Sequence, residues 1–253
     1  MRLNVVTQYL TYQLYHALTL LDTLVRSHDS EEVHDFRIAI RRVRSLTTLY
    51  LKESVPFPRE LKNAVKSTNA IRELDVLIES LNKKRSPKTC RQLSRLRREC
   101  LDSSFTAEFK AQTLLAIRNY YDTLCDADPD ISSKQLIQTV ERHYSSAVAD
   151  YAAISDATSQ KELHQLRVRF KNARYGLEFL STAQLRDEHN KIAECKKIQN
   201  QLGAVQDAYN QIEWLKKVQK HAPSSETAGV LKERKKWLKQ LKAASRSVQS
   251  PAL

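Results

Sequence analysis

His34-Asp35-Phe36-Arg37-Ile38-Ala39-Ile40-Arg41-Arg42-Val43-Arg44 is answered 130 residues later by His164-Gln165-Leu166-Arg167-Val168-Arg169-Phe170-Lys171-Asn172-Ala173-Arg174. Both stretches read H-x-x-R-x-x-x-[RK]-x-x-R. On an α-helix turning about 100° per residue, the four positions fall at roughly 0°, 300°, 340° and 280°, inside a quarter-turn. Each segment therefore lines one helix edge with a His and three cations. Val33, Phe36, Ile40 and Val43 in the first copy, and Leu163, Leu166, Phe170 and Ala173 in the second, fall on the adjoining face. Aligned cations repel one another, so a duplicated stripe points to a polyanion held between two symmetric halves.

The duplication reaches beyond the stripe. Asp29 can cap the first helix with Glu32 at its third position, and Ser159 and Glu162 stand at the same offset before the second, a capping box. Asn69-Ala70-Ile71-Arg72-Glu73-Leu74 also aligns with Gly203-Ala204-Val205-Gln206-Asp207-Ala208, at an offset of 134. Between 31–50 and 161–180 only Glu32, His34, Arg37 and Arg44 equal their partners. Their placement gives them weight: one is on the cap and three are on the stripe.

Working outward, helical periodicity is almost continuous. It predicts helices over 3–27, about 30–52, 59–82 and 88–123, then over 132–154, 159–181, 187–220 and 226–246. Val6, Leu10, Leu14, Leu18, Leu21 and Val25 give the first its apolar side. Pro56, Pro58 and Pro87 punctuate the first half, and His221–Ser225 is a loop in the second. The tail from Ser247 to Leu253 reads as frayed. Asp126-Ala127-Asp128-Pro129-Asp130 is the best boundary. One domain over 1–253 then divides into internal repeats 1–126 and 130–250, each of four helices.

The 253 residues carry 42 Lys+Arg against 29 Asp+Glu, a formal net charge of +13, which calls for an anionic partner. Three Gly and six Pro are too few for the corners of a β protein. No run of 18 apolar residues or signal-type core occurs, so a cytoplasmic protein with no membrane partner is expected. Cys90, Cys100, Cys125 and Cys195 form no CxxC and no zinc spacing, and read as small packing residues of a reduced protein. No Gly-rich phosphate loop, G-x-S-x-G or HExxH is present. No cofactor, metal or catalytic residue is therefore expected. His16, His28, His143, His189 and His221 are scattered and read as surface or packing residues. Glu73, Asp75, Asp207 and Glu178 read as partners that orient the basic side chains.

Phosphate suits the stripe chemically. Arg offers a planar fork, Lys a mobile point charge, and protonated His a donor on each nitrogen. Neighbouring positions about 5–6 Å apart could follow a chain of phosphates. Lys62 and Lys66, Arg72, and Lys196 at the position matching Lys62, extend the candidate set. Arg91, Arg95 and Arg98 read as an ordinary solvated face.

These residues resemble the CHAD family, the conserved histidine α-helical domain. The resemblance runs from Glu31–Arg44 through Asn69–Val76, Ser104-Phe105, Leu163–Tyr175 and Leu202–Asp207 to the last helix after Ala228-Gly229. It implies an all-α fold of two four-helix bundles related by a pseudo-twofold, with a basic groove or pore between them. It implies non-catalytic binding of inorganic polyphosphate, with polyphosphate granules a conceivable place for it within the cytoplasm. Some members are fused to or encoded beside triphosphate-tunnel enzymes, so a polyphosphate-metabolising enzyme is a conceivable partner. Carried over residue by residue, the basic set is His34, Arg37, Arg41, Arg44, His164, Arg167, Lys171 and Arg174. The chain departs from the family pattern at Asn69 (usually Gly), at Glu73 (usually Asp) and at Gln206 (usually basic). Two alternatives remain open. Single-stranded nucleic-acid binding lacks aromatic platforms between the cations, and no major-groove motif favours specific nucleic acid. A polyphosphate-processing enzyme lacks a recognisable metal or nucleophile site.

Overall fold

The computed structural model describes residues 4–27, 29–155 and 158–247. Leu3, His28, the side chain of Val25 and the tail beyond Ser247 lie outside the described residues. The elements are α1 Val5–Ser27, α2 Ser30–Tyr50, α3 Arg59–Ser67, α4 Asn69–Glu79, α5 Pro87–Ser104, α6 Ala107–Ala127, α7 Ser133–Ala152, α8 Gln160–Thr182, α9 His189–His221 and α10 Ser225–Ser247. The fold is all-α, with no strand among the described residues. None of the described helices is long and apolar enough to cross a membrane.

Helix starts follow the cap residues. Asp29 accepts hydrogen bonds from the backbone N–H of Glu31 at 2.7 Å and Glu32 at 3.2 Å. Of the two matched helix starts, α8 has the complete capping box. There Ser159 Oγ accepts from Glu162 N–H at 3.3 Å, and the Glu162 carboxylate accepts from Ser159 N–H at 2.7 Å. On α2 the Glu32 carboxylate turns to the Ser27 hydroxyl instead.

Two helices expected to be continuous are broken. The 59–82 segment divides into α3 and α4 at Thr68, where Ser67 Oγ and Thr68 Oγ1 each donate at 2.9 Å to a carbonyl one turn back, Ala64 and Val65. Such side-chain bonds compete with the helix ladder. The 88–123 segment divides into α5 and α6 because Thr106 is extended and its hydroxyl accepts from Phe109 N–H at 3.1 Å. The second half has no such breaks in α9 and α10, so the expected four-plus-four helix count does not describe the chain.

Two cores result. The larger joins α1, α2, α3, α6, α7, α8 and the start of α9, with Ile71 of α4 and Leu101 of α5, around Leu10, Phe36, Ile40, Val43, Phe170 and Phe179. The smaller joins α4, α5, the end of α9 and α10 around Leu74, Leu77, Leu93, Leu215 and Val218. The apolar faces expected beside the stripes are buried: Phe36 and Phe170 are both fully enclosed, and Ala at either would cost about 3–5 kcal/mol.

Helices α2 and α8 meet in the larger core. Ser45 Oγ donates to Asn172 Oδ1 at 2.9 Å, Leu49 lies beside Gly176, and Tyr50 meets Phe179 edge-on at 5.9 Å. These contacts advance together, so the two helices run in the same sense and bring their His ends to the same end of the molecule. Gly176 is required for the approach of α7, since a Cβ there would stand 2.8 Å from Val140 Cγ2. All four cysteines are free thiols, and Cys195 alone is fully buried.

Candidate functional site

The polar edges of α2 and α8 face α4 and the middle of α9 across a cavity of about 320 Å³. Arg37, Arg41, Arg72 and Arg167 line it together with His164, against the two carboxylates Glu73 and Asp207. Asn69, Gln206, Asn210 and Gln211 supply neutral polar groups. It lies where the two cores meet, so residues from both halves of the chain form its wall.

On α2, Arg37 is only 4% exposed. Its Nη1 donates to Val65 O at 2.7 Å and Thr68 Oγ1 at 2.5 Å, and its Nη2 to Asn69 Oδ1 at 2.7 Å. It thus clasps the turn that breaks α3 from α4. Burial, then Arg41 and Arg72, press its pKa below the usual guanidinium value. Arg41 is half-buried and has no hydrogen-bond acceptor among the described residues. Burial, and to a lesser degree Arg167 and Arg44, hold its pKa down against the opposing influence of Tyr175. His34 is half-buried just off the cavity wall, and burial followed by the Arg72 charge lowers its pKa.

On α8, His164 stands exposed at the wall. Arg167 packs over Gly203 so closely that a Cβ there would lie 3.1 Å from its Nε. That Nε is buried without an acceptor among the described residues, as are Arg72 Nη1 and Arg174 Nε. Arg72 has only a long pairing of 3.7 Å to Glu79, and Arg174 one of 3.5 Å to Glu178. Leaving such a donor unmet costs about 1–3 kcal/mol, more when it is charged.

Lys171 is half-buried with its ammonium 5.7 Å from the centre of the Tyr175 ring. Burial, with Arg41, Arg167, Arg174 and Arg37 around it, pushes its pKa down to about 6. Arg174 lies over the other part of the same system, 5.0 Å from the Tyr175 ring.

The remaining candidates lie outside the cavity wall: Arg44 on α2, Lys62 and Lys66 on α3, and Lys196 on α9 are all exposed. The carboxylates also need correction. Glu73 accepts from Asn210 Nδ2 at 3.1 Å and Trp214 Nε1 at 3.0 Å rather than from a stripe cation. Asp75 pairs with Arg97 on α5, away from the stripes. Asp207 does face Arg167 and Arg72, but burial outweighs them and raises its pKa. Glu178 fits its expected role, pairing with Arg174 and also with Arg42 at 3.0 Å. Arg42, Asn69, Tyr175 and Asn210 were not legible as site residues. Arg42, Asn69 and Asn210 matter through partners far away in sequence, whereas Tyr175, directly after the stripe, meets Lys171 and Arg174 on its own helix.

A family model of the CHAD domain matches residues 8–216. The chain belongs to the CHAD family. Among solved structures, it is similar to the CHAD domain from the plant Ricinus communis, with a TM-score of 0.77 at 18% identity over 97% of this chain and 88% of that one. It is also similar to PptA from Streptomyces chartreusis, with a TM-score of 0.64 at 14% identity over 97% and 96% of the two chains. Identities this low speak for a shared CHAD fold and no further. No curated protein matches the sequence. In this CHAD domain, the cation-rich cavity takes residues from both helices that carry the repeated stripe, α2 and α8.

Proposed function

We propose that this CHAD domain binds inorganic polyphosphate without acting on it, in the cavity between α2, α4, α8 and α9. One observation carries the reading: guanidinium donors of Arg72 and Arg167 are buried at this cavity with no acceptor among the described residues. A phosphate oxygen supplies what they lack, and its charge offsets the burial and, after it, the neighbouring cations that depress Lys171, Arg41 and Arg37. His34, His164 and Arg174 would serve phosphates at the rim. Exposed Arg44, Lys62, Lys66 and Lys196 would steer a longer chain toward the cavity.

Phosphate is favoured over nucleic acid because the aromatic residue nearest the cations, Tyr175, is only 2% exposed and offers no face for a base. A binding role is favoured over catalysis because Glu73 is committed to Asn210 and Trp214. Asp207 is then the one wall carboxylate without a hydrogen-bond partner among the described residues. The test is competition at fixed salt between long-chain polyphosphate and single-stranded RNA, with phosphate release followed in parallel. Polyphosphate should win by a wide margin with no phosphate released. Preference for RNA would reject the reading, and steady phosphate release would reject its non-catalytic part.

A further inference from the structure

Tyr12 and Tyr15 on α1, with Leu114, Leu115 and Tyr121 on α6, are each between 44% and 65% exposed, and they are five of the six large apolar or aromatic side chains so exposed among the described residues. They form one surface. Helices α1 and α6 run antiparallel, tied at one end by Asn4 N–H donating to Asp128 Oδ1 at 2.8 Å and at the other by Lys110 Nζ donating to Asp22 Oδ1 at 2.7 Å. Leu114 and Tyr121 share the helix edge of Lys110, about one and about three turns on, and Tyr15 stands about two turns before Asp22 on the facing edge. Tyr12 and Leu115 continue the surface outward on the two helices. None of the residues lining the cation-rich cavity belongs to α1 or α6.

The face is also electrically unlike the rest of the chain. Asp22, Glu108, Asp122 and Asp126 on α1 and α6 outnumber Arg26, Lys110 and Arg118, whereas the whole chain carries a net charge of +13. A polyanion finds no attraction here, and the tyrosines lack the cationic groove that accompanies a base-stacking platform. A second copy of this cationic protein can approach the face without the repulsion that its net charge imposes elsewhere. The outer ridge of α6 is moreover complementary to itself. Glu108, Ala111, Leu115, Arg118 and Asp122 follow one another at alternating steps of three and four, and all are exposed. Laid antiparallel on a second α6, Leu115 meets Ala111 and Arg118 meets Glu108, and the twofold axis makes each contact twice. The 21 residues of α6 span about 30 Å, and two packed helices are roughly 20 Å across. The outline of roughly 600 Å² is close to the about 800 Å² that a standard interface takes from each partner.

We propose that the α1/α6 face is an interface with a second copy of this chain, packed α6 against α6 in antiparallel register about the Ala111–Leu115 pair. The dimer holds two cavities on one particle, so a long polyanion engages both and its second contact is intramolecular. That consequence, though not the interface, rests on the polyphosphate binding proposed above.

The experiment follows the mass of the intact protein by sedimentation equilibrium without polyphosphate, over about 1 to about 200 μM, the range suited to an interface of modest area. The mass should rise from 29.2 kDa toward twice that value. Leu115→Glu should raise the dissociation constant at least about tenfold, whereas Val168→Glu, at an exposed apolar position on α8 off the face, should leave it unchanged. Arg118→Glu should also weaken the dimer by setting like charges together, and adding Glu108→Arg should restore it by reversing the pair. Urea unfolding of each variant separates a lost interface from a lost fold. A mass of 29.2 kDa at every concentration, or a dimer indifferent to Leu115→Glu, would overturn the proposal. Failure of the reversed pair to restore association would overturn the antiparallel register. Polyphosphate binding is measured separately by calorimetry. A dimer that fails to bind polyphosphate would reject the functional reading alone, and binding by a protein that stays monomeric would reject this inference alone.

Discussion

Arg37 on α2 and Arg167 on α8 occupy the same place in the two stripes and meet opposite surroundings. Arg37 donates to Val65 O, Thr68 Oγ1 and Asn69 Oδ1. Arg167 meets Gly203, which has no side chain to offer, and keeps a buried Nε without an acceptor among the described residues. Asn69 and Gly203 are themselves matched positions in the two sequence segments. The break between α3 and α4 delivers three acceptors to the first stripe. The unbroken α9 delivers none to the second. Equal spacing of charges therefore yields one stripe whose Arg37 is committed to holding the fold and another whose matching Arg167 is not.

The sharpest way to break this comparison is to remove uncommitted cations. Arg41→Ala/Arg167→Ala should weaken polyphosphate binding by about 10²- to 10⁴-fold, two charge-assisted contacts at about 1.5–3 kcal/mol each. Lys235→Ala/Lys239→Ala on exposed α10 positions should cost less than tenfold. Arg234 makes a poor control, because it donates to Ser80 O at 2.9 Å and so ties α10 to the end of α4. Similar losses in calorimetric titrations of both pairs would mean diffuse electrostatics rather than a site.

Stability should divide the stripes the other way. Arg37→Ala removes three hydrogen bonds made by a buried guanidinium, leaves Asn69 Oδ1 without its donor, and should cost about 2–4 kcal/mol of folding stability. Arg167→Ala removes an unmet charge and should leave stability unchanged or raised. Urea unfolding of the two variants measures the difference directly, and comparable losses would erase the distinction.

The pH dependence comes next in size. Free Lys171 titrates near about 6, and a bound polyanion stabilises its charged form and raises that value. Binding then takes up a proton between the two values, so affinity should tighten about tenfold as pH falls from about 8 to about 6, and level off below. His34, whose pKa burial and Arg72 lower, adds uptake at the acidic end. In the unliganded protein the sign is reversed for stability. Folded Lys171 holds fewer protons than unfolded Lys171 from about pH 6 to about 10.4, so its contribution grows more favourable as pH rises through that window. Lys171→Met should abolish most of both effects. An unchanged number of protons taken up, measured in buffers of different ionisation enthalpy, would assign the uptake elsewhere.

The smallest effect should come from making the second stripe resemble the first. Gly203→Asn places an amide against Arg167 and supplies an acceptor of the Asn69 kind. Polyphosphate affinity should fall several-fold, in keeping with about 1 kcal/mol for one internal hydrogen bond. No change in affinity would show that Arg167 does not contact the ligand.

These contrasts also mark how far the sequence could be read. Cap, stripe and apolar face are local features repeating every three or four residues, so α2, α8 and their buried Phe36 and Phe170 were legible. The breaks at Thr68 and Thr106 had only faint cues, cap-type residues inside otherwise regular helical patterns. The commitment of Arg37 depends on residues 28 to 32 positions away, and the Glu73–Trp214 bond spans 141. No periodicity reports contacts of that range. Charge type and spacing identified Arg37 and Arg167 alike as candidates, whereas their difference arises from what α4 and α9 place opposite them.

The most direct test of polyphosphate binding between the stripes is a crystal structure of the protein with a short polyphosphate. Phosphate oxygens should lie about 2.7–2.9 Å from Arg167 Nε and from a nitrogen of Arg41, with the Arg37 bonds to Val65, Thr68 and Asn69 intact. A polyphosphate seated instead on the outer faces of α3 or α10, with the cavity filled by water, would contradict the account.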